Sequence, residues 1–187
     1  GHIIAGEAQG QSVDFTKILF SANLLKRFPV PNWRTKNRSY YNFILKANAQ
    51  YAEKLLSSVE QFSLGGPSAA RAFSVSDVSV DSGVYLGFEL HFDLPQSTLR
   101  RLSLPSDSIK PFLFFDYGYG VARKLNSNDD NRDAEVKGWG LGFRMSWPRL
   151  GVANLIFAKP LTARFDSGLS DATGESRVYF DVTYEFR

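Results

Sequence analysis

Few side chains in this sequence are equipped for chemistry. His91 is one of two histidines. A two-residue alternation puts it on one face with Glu89 and Asp93. A catalytic triad needs a nucleophile beside such a histidine, and no G-x-S-x-G elbow occurs. With no cysteine in the chain, disulfides, thiolate nucleophiles and cysteine–zinc sites are ruled out. Gly138, Gly140 and Gly142 imitate a phosphate-binding loop. A dinucleotide fingerprint follows a strand and opens a helix, however, whereas these glycines alternate with Trp139 and Leu141 inside one strand pattern. The acidic stretch 126–135 lacks the central glycine and closing glutamate of an EF-hand, so it reads as a solvated loop. His91 and its neighbours read most simply as charge facing an aqueous interior. These residues point away from an enzyme and imply no metal and no cofactor.

The elements that would position these residues follow from composition. Of 187 residues, 43% are hydrophobic and 22% charged, enough apolar surface to exclude a disordered chain. Net charge is only +3, and no lysine/arginine run marks a nucleic-acid surface. The longest apolar runs, such as 111–115, fall far short of the ~20 residues a membrane-spanning helix needs. A membrane β-barrel is not excluded, because its strands average apolar and polar residues to near-neutral hydropathy. The 16 Phe and 8 Tyr suit a lipid-facing wall with aromatic rims, or a soluble β-sandwich.

Alternation and the connections favour the barrel, and a soluble β-sandwich binding module stays as the rival from another class. Val178, Phe180, Val182, Tyr184 and Phe186 oppose Tyr179, Asp181, Thr183 and Glu185. The same pattern runs through 84–94, 41–51 and 138–147, and more weakly through 15–27, 109–121 and 151–160. Seven strands result. Many are longer than the usual ~5–6 residues and long enough to cross a bilayer at a tilt. Their connections alternate in length: 28–37 moderate, 55–81 very long, 95–108 moderate, 123–133 long, 148–150 tight, 159–175 long. Outer-membrane barrels segregate short periplasmic turns from long extracellular loops in this way, and a soluble sandwich has no reason to. Trp139 and Trp147 lie on one face of one strand. At ~3.3 Å per residue and ~40° of tilt they stand roughly 20 Å apart along the membrane normal, which suits two girdle positions.

Several segments resemble two-partner secretion transporters, a branch of the Omp85 superfamily. They are Glu60-Gln61-Phe62-Ser63-Leu64-Gly65-Gly66-Pro67, then Ala70-Arg71-Ala72-Phe73, then Asp81-Ser82-Gly83. Phe112-Leu113-Phe114-Phe115-Asp116-Tyr117-Gly118 is similar to the family's FxFxDxG strand. Gly138-Trp139-Gly140-Leu141-Gly142 resembles its glycine-rich neighbour. The resemblance spans about 13–187. Two positions depart from it: Ala72 stands where the family has glycine, and Arg187 follows the aromatic Phe186. If the Ala72 site required a positive φ, alanine there would cost stability.

The resemblance implies an all-β fold, an antiparallel transmembrane β-barrel. Residues 1–187 would be its C-terminal part, about seven of sixteen strands, with a long inserted loop at about 55–81. POTRA domains and the first strands would lie outside the chain. Arg71, Ala72, Phe73, Gly65 and Gly66 would form the inserted loop's motif. Asp116, Gly118, Gly138, Gly140 and Gly142 would form the lumen wall that anchors it, with an Arg71–Asp116 ion pair as the pin. Phe180, Tyr184 and Phe186 would serve as the barrel-assembly signal, and Trp139 and Trp147 as girdle. The implied function is export of a large unfolded partner exoprotein, of haemolysin or adhesin type, across the bacterial outer membrane. Implied partners are that secreted protein, outer-membrane lipid and the barrel-assembly machinery, with no nucleic acid. An Omp85-type assembly factor is the principal rival, and the EQFSLGG segment argues against it.

Overall fold

A computed structural model describes residues 14–30, 39–75, 77–94, 96–101, 103, 108–123, 131–147, 151–165 and 175–184. In chain order the elements are β1 (Lys17–Val30), β2 (Ser39–Ala52), β3 (Phe62–Ser63), β4 (Ser79–Val80), β5 (Ser82–Phe92), α1 (Gln96–Arg101), β6 (Ile109–Ala122), β7 (Arg132–Trp147), β8 (Gly151–Phe165) and β9 (Arg177–Thr183). Seven strands form one antiparallel sheet in the order β1-β2-β5-β6-β7-β8-β9. The short β3 and β4 pair with each other inside the β2–β5 connection. Among the described residues β1 pairs with β2 alone and β9 with β8 alone.

The period-two pattern sorts the two faces. Phe20, Leu113, Phe115, Leu141 and Phe180 are exposed on the outer face, and among the described residues no layer covers them. The other face carries the 53–81 connection, and the hydrophobic core lies between that connection and the wall. Leu64, Ala72, Phe73, Val78 and Val80 from the connection pack with Phe112, Phe114, Val136 and Ala158 from the strands. This explains why β6 alternates poorly in the sequence. Its inward Phe112 and Phe114 and its outward Leu113 and Phe115 are all apolar, because both faces meet apolar surroundings.

Three elements differ from the sequence expectation. The 95–108 connection contains α1, too short for a 3.6-residue period to register. It buries Leu99 and places Arg100 and Arg101 in its last turn, where cations suit the helix dipole. Strand β7 begins at Arg132, inside the stretch expected to be an acidic loop. There Ala134 and Val136 are buried inward, while Glu135 and Lys137 form a 2.7 Å ion pair on the outer face. Before Trp139 the strand's outward residues are charged and not apolar, which hides its first part from a hydrophobic pattern. Strand β8 runs past Pro160 to Phe165 through a register shift, where Lys137 pairs with Thr162 but Gly138 with Pro160. Leu161 is the extra residue. A bulge is where a strand tolerates a proline lacking its N–H.

Candidate functional site: the inserted loop and its seat

The 53–81 connection folds back on itself through close backbone approaches. Gly66 N–H donates to the carbonyl of Phe73 at 2.8 Å, and Leu64 N–H to that of Val78 at 3.0 Å. Gly66 adopts φ 115°, a conformation in which a Cβ is disfavoured. At Gly65 a Cβ would lie 2.2 Å from the Ser74 carbonyl oxygen. These two glycines let the outgoing and returning halves of the loop touch. Ala72 is not among the described residues with positive φ. Alanine therefore carries no backbone strain there, contrary to the cost its replacement of glycine suggested.

Arg71 sits at the centre of the seat. It is 3% exposed and faces Asp116, which is fully buried on the inner face of β6. Its Nε and Nη2 donate to the two Asp116 oxygens at 2.9 and 2.8 Å, and its backbone N–H donates at 3.0 Å. Nη1 donates to Glu89 Oε1 on β5 at 2.7 Å. The guanidinium stacks on Phe114, 3.7 Å from the ring centroid. Tyr85 donates its hydroxyl to Asp116 at 3.0 Å. Gly87 gives Tyr85 the space: a Cβ there would lie 2.3 Å from the phenolic oxygen. Burial disfavours the guanidinium's charge, but its hydrogen bond to Asp116 and the charges of Asp116 and Glu89 outweigh this and raise its pKa. Lys46 on β2 also donates to Glu89, at 2.9 Å. Arg71 and Lys46 thus balance Asp116 and Glu89. Among the described residues no buried side-chain polar atom lacks a partner. Removing one member of such a cluster costs ~3–5 kcal/mol, because it strands the others in a poorly solvated place.

Other expected residues fall as follows. A Cβ at Gly138 would lie 2.7 Å from the Ala72 methyl, and one at Gly118 would lie 3.3 Å from Leu64. These two glycines make room for the loop. Gly140 and Gly142 do not touch it: a Cβ there would meet the rings of Phe114 at 2.5 Å and Phe112 at 2.2 Å. Their part in the seat is indirect: Gly140 lets Phe114 lie beneath Arg71, and Gly142 makes room for Phe112 beneath His91. Phe73 is buried in the core. His91 Nε2 lies 2.8 Å from Glu89, and its ring stacks on Phe112. Asp93 stands apart from that pair and accepts from the Tyr40 N–H at 3.1 Å. Trp139, Trp147, Phe180 and Tyr184 are exposed, and Phe186 lies outside the described residues.

Sequence reasoning missed the loop's neck. Asp81, fully buried, accepts from Leu56 N–H at 2.8 Å, Arg123 N–H at 2.6 Å and the Gln61 amide at 3.3 Å. The Arg123 guanidinium in turn donates to the Ala52 carbonyl at 2.6 and 3.1 Å. Both ends of the loop are thereby tied to the end of β6. Glu60 pairs with Lys17 on β1. No local pattern announces these contacts, since the partners are far apart in sequence. The one available signal was Asp81 itself, an acidic residue directly before a strand.

Residues 4–145 match the family model described as haemolysin secretion/activation protein ShlB/FhaC/HecB. The heme/hemopexin transporter protein HuxB of Haemophilus influenzae (strain 86-028NP) is 28% identical over 147 residues, 75% of this chain and 25% of that protein. The chain therefore spans about a quarter of the length of the curated relative it matches. The fold is similar to that of CdiB from Acinetobacter baumannii, with a TM-score of 0.59 and 21% identity over 88% of this chain and 26% of that one. The chain belongs to the haemolysin secretion/activation family of ShlB, FhaC and HecB, and its seven strands are part of an antiparallel β-barrel of the bacterial outer membrane.

Proposed function

We propose that this chain forms part of a two-partner secretion transporter, which exports a large partner exoprotein of haemolysin or adhesin type through its barrel. The observation that carries the reading is the loop seated on the inner wall, with Arg71 forked onto Asp116 and held by Glu89. A segment placed there occupies the conduit and must be held in a defined position, or released from it, for a chain to pass. The saturated hydrogen bonding of the cluster suits a tether better than catalytic machinery. The relative named as a heme/hemopexin transporter supports transport as the activity. The apolar outer face is the lipid contact, with Trp139 and Trp147 as girdle. Phe180 and Tyr184 continue that face towards the C-terminus, as a signal read by the barrel-assembly machinery.

Secretion of the partner by the full-length protein tests this. Arg71→Ala and Asp116→Ala are expected to abolish most export while the barrel still reaches the outer membrane. Export at the wild-type level by both variants would sink the proposal.

A further inference from the structure

The loop also has an attachment to β9. Arg177 opens β9 and spends its whole guanidinium on the returning half of the loop. Nε donates to the Ala72 carbonyl at 3.1 Å, Nη1 to Ser74 Oγ at 2.5 Å and Nη2 to Asp77 Oδ2 at 2.9 Å. Two residues along the same face, the Tyr179 hydroxyl donates to the Phe73 carbonyl at 3.4 Å. Asp77 is itself fixed by accepting from the Ser74 N–H at 2.6 Å. The loop segment thus presents two successive carbonyls, a hydroxyl and a carboxylate to one strand. Among the described residues that strand pairs with β8, over 152–158. Its outward Val178, Phe180 and Val182 are at least 60% exposed on the apolar outer face. On the inner side Arg177 and Tyr179 bond it to the loop.

We infer that Arg177 is a positioning residue that couples the loop's 72–77 segment to strand β9, so that the two are held or released together. Arg177 touches the residue next to Arg71. Displacing the Arg71 motif from Asp116 therefore pulls on Arg177, and detaching β9 removes one wall of the loop's seat. An arginine suits the place because its planar fork reaches the Ala72 carbonyl, Ser74 and Asp77 from three separate nitrogens, where a lysine has one. The coupling must be reciprocal, as any linkage between two sites is. It concerns where the loop and strand sit and holds whether or not the protein exports a partner, so it stands apart from the export reading.

Amide hydrogen exchange on the intact protein in lipid nanodiscs tests it, with 72–78 and 177–183 as the reporting segments and 112–118 as the internal reference. Arg177→Gln is expected to speed exchange about tenfold in both reporting segments, the factor for losing a charge-assisted bond partly screened by solvent. Asp77→Asn changes only the exposed loop, so it tests the link even if the strand variant folds poorly. It too should speed exchange in 177–183, about 100 residues away in sequence. Arg177→Lys should fall between wild type and Arg177→Gln. If Asp77→Asn leaves 177–183 at the wild-type rate, or Arg177→Gln leaves 72–78 there, the contacts are local and the inference is overturned.

Discussion

Arg71 makes its contacts in a place that forbids substitution by another cation. Its fork meets both oxygens of Asp116 while a third nitrogen reaches Glu89 and the plane lies on Phe114. A lysine offers one rotating point charge and no plane. Arg71→Lys and Asp116→Asn should therefore each loosen the seated loop by about 3 kcal/mol. Limited trypsin digestion of the membrane-inserted protein measures this, through faster cleavage at Lys54. Cleavage of both variants at the wild-type rate would refute it. Glu89 was legible only as one more charge on the His91 face. Its partner is 18 residues away in a loop whose path the pattern does not encode.

Between elements, the fit of loop to wall depends on missing methyl groups. Gly138 on β7 faces the Ala72 methyl across 2.7 Å of would-be contact. Gly138→Ala should overpack the interface by about 1–3 kcal/mol, and Ala72→Gly in the same protein should return much of it. A double-mutant cycle on denaturant unfolding in micelles is expected to give a coupling of about 1 kcal/mol. Simple additivity would remove Ala72 as the neighbour that matters. Gly140→Ala is the contrasting case. Its new methyl would strike the Phe157 carbonyl at 2.0 Å and the Phe114 ring at 2.5 Å, so no change in the loop should rescue it. Glycines alternating along β7 were visible in the sequence. Which of them met the loop and which met a phenylalanine on β6 was not, because that depends on a cross-strand register.

At the scale of the molecule, the sheet is inside out relative to a soluble domain. Its packed core lies under the inserted loop, and among the described residues no layer covers its apolar outer face. Phe143 lies on that surface, midway between Trp139 and Trp147 and level with Leu155. Phe143→Arg should cost about 2–4 kcal/mol of folding free energy in lipid, as a midplane cation does. Ser21→Arg, on the opposite face of β1, should cost under about 1 kcal/mol. Unfolding titrations in matched bilayers compare the two. Equal costs would mean that the outer face does not meet hydrocarbon.

Seven strands, their two faces and the unequal connections are written in the sequence, because a period of two repeats along the chain and lipid demands an apolar outer side. Its aromatic spacing, its lack of cysteine and the motif around Arg71 belong to the same local record. The tertiary structure decided what holds the loop. Asp81 joins the neck to Arg123 across 42 residues, and Arg177 reaches Asp77 across 100. Such pairs follow from where a folded-back loop comes to rest, and no periodicity records that position. The same holds for His91 and the glycines. Their residue types suggested a site, but only the fold showed that His91 steadies Glu89 and that the glycines admit a methyl group or a ring.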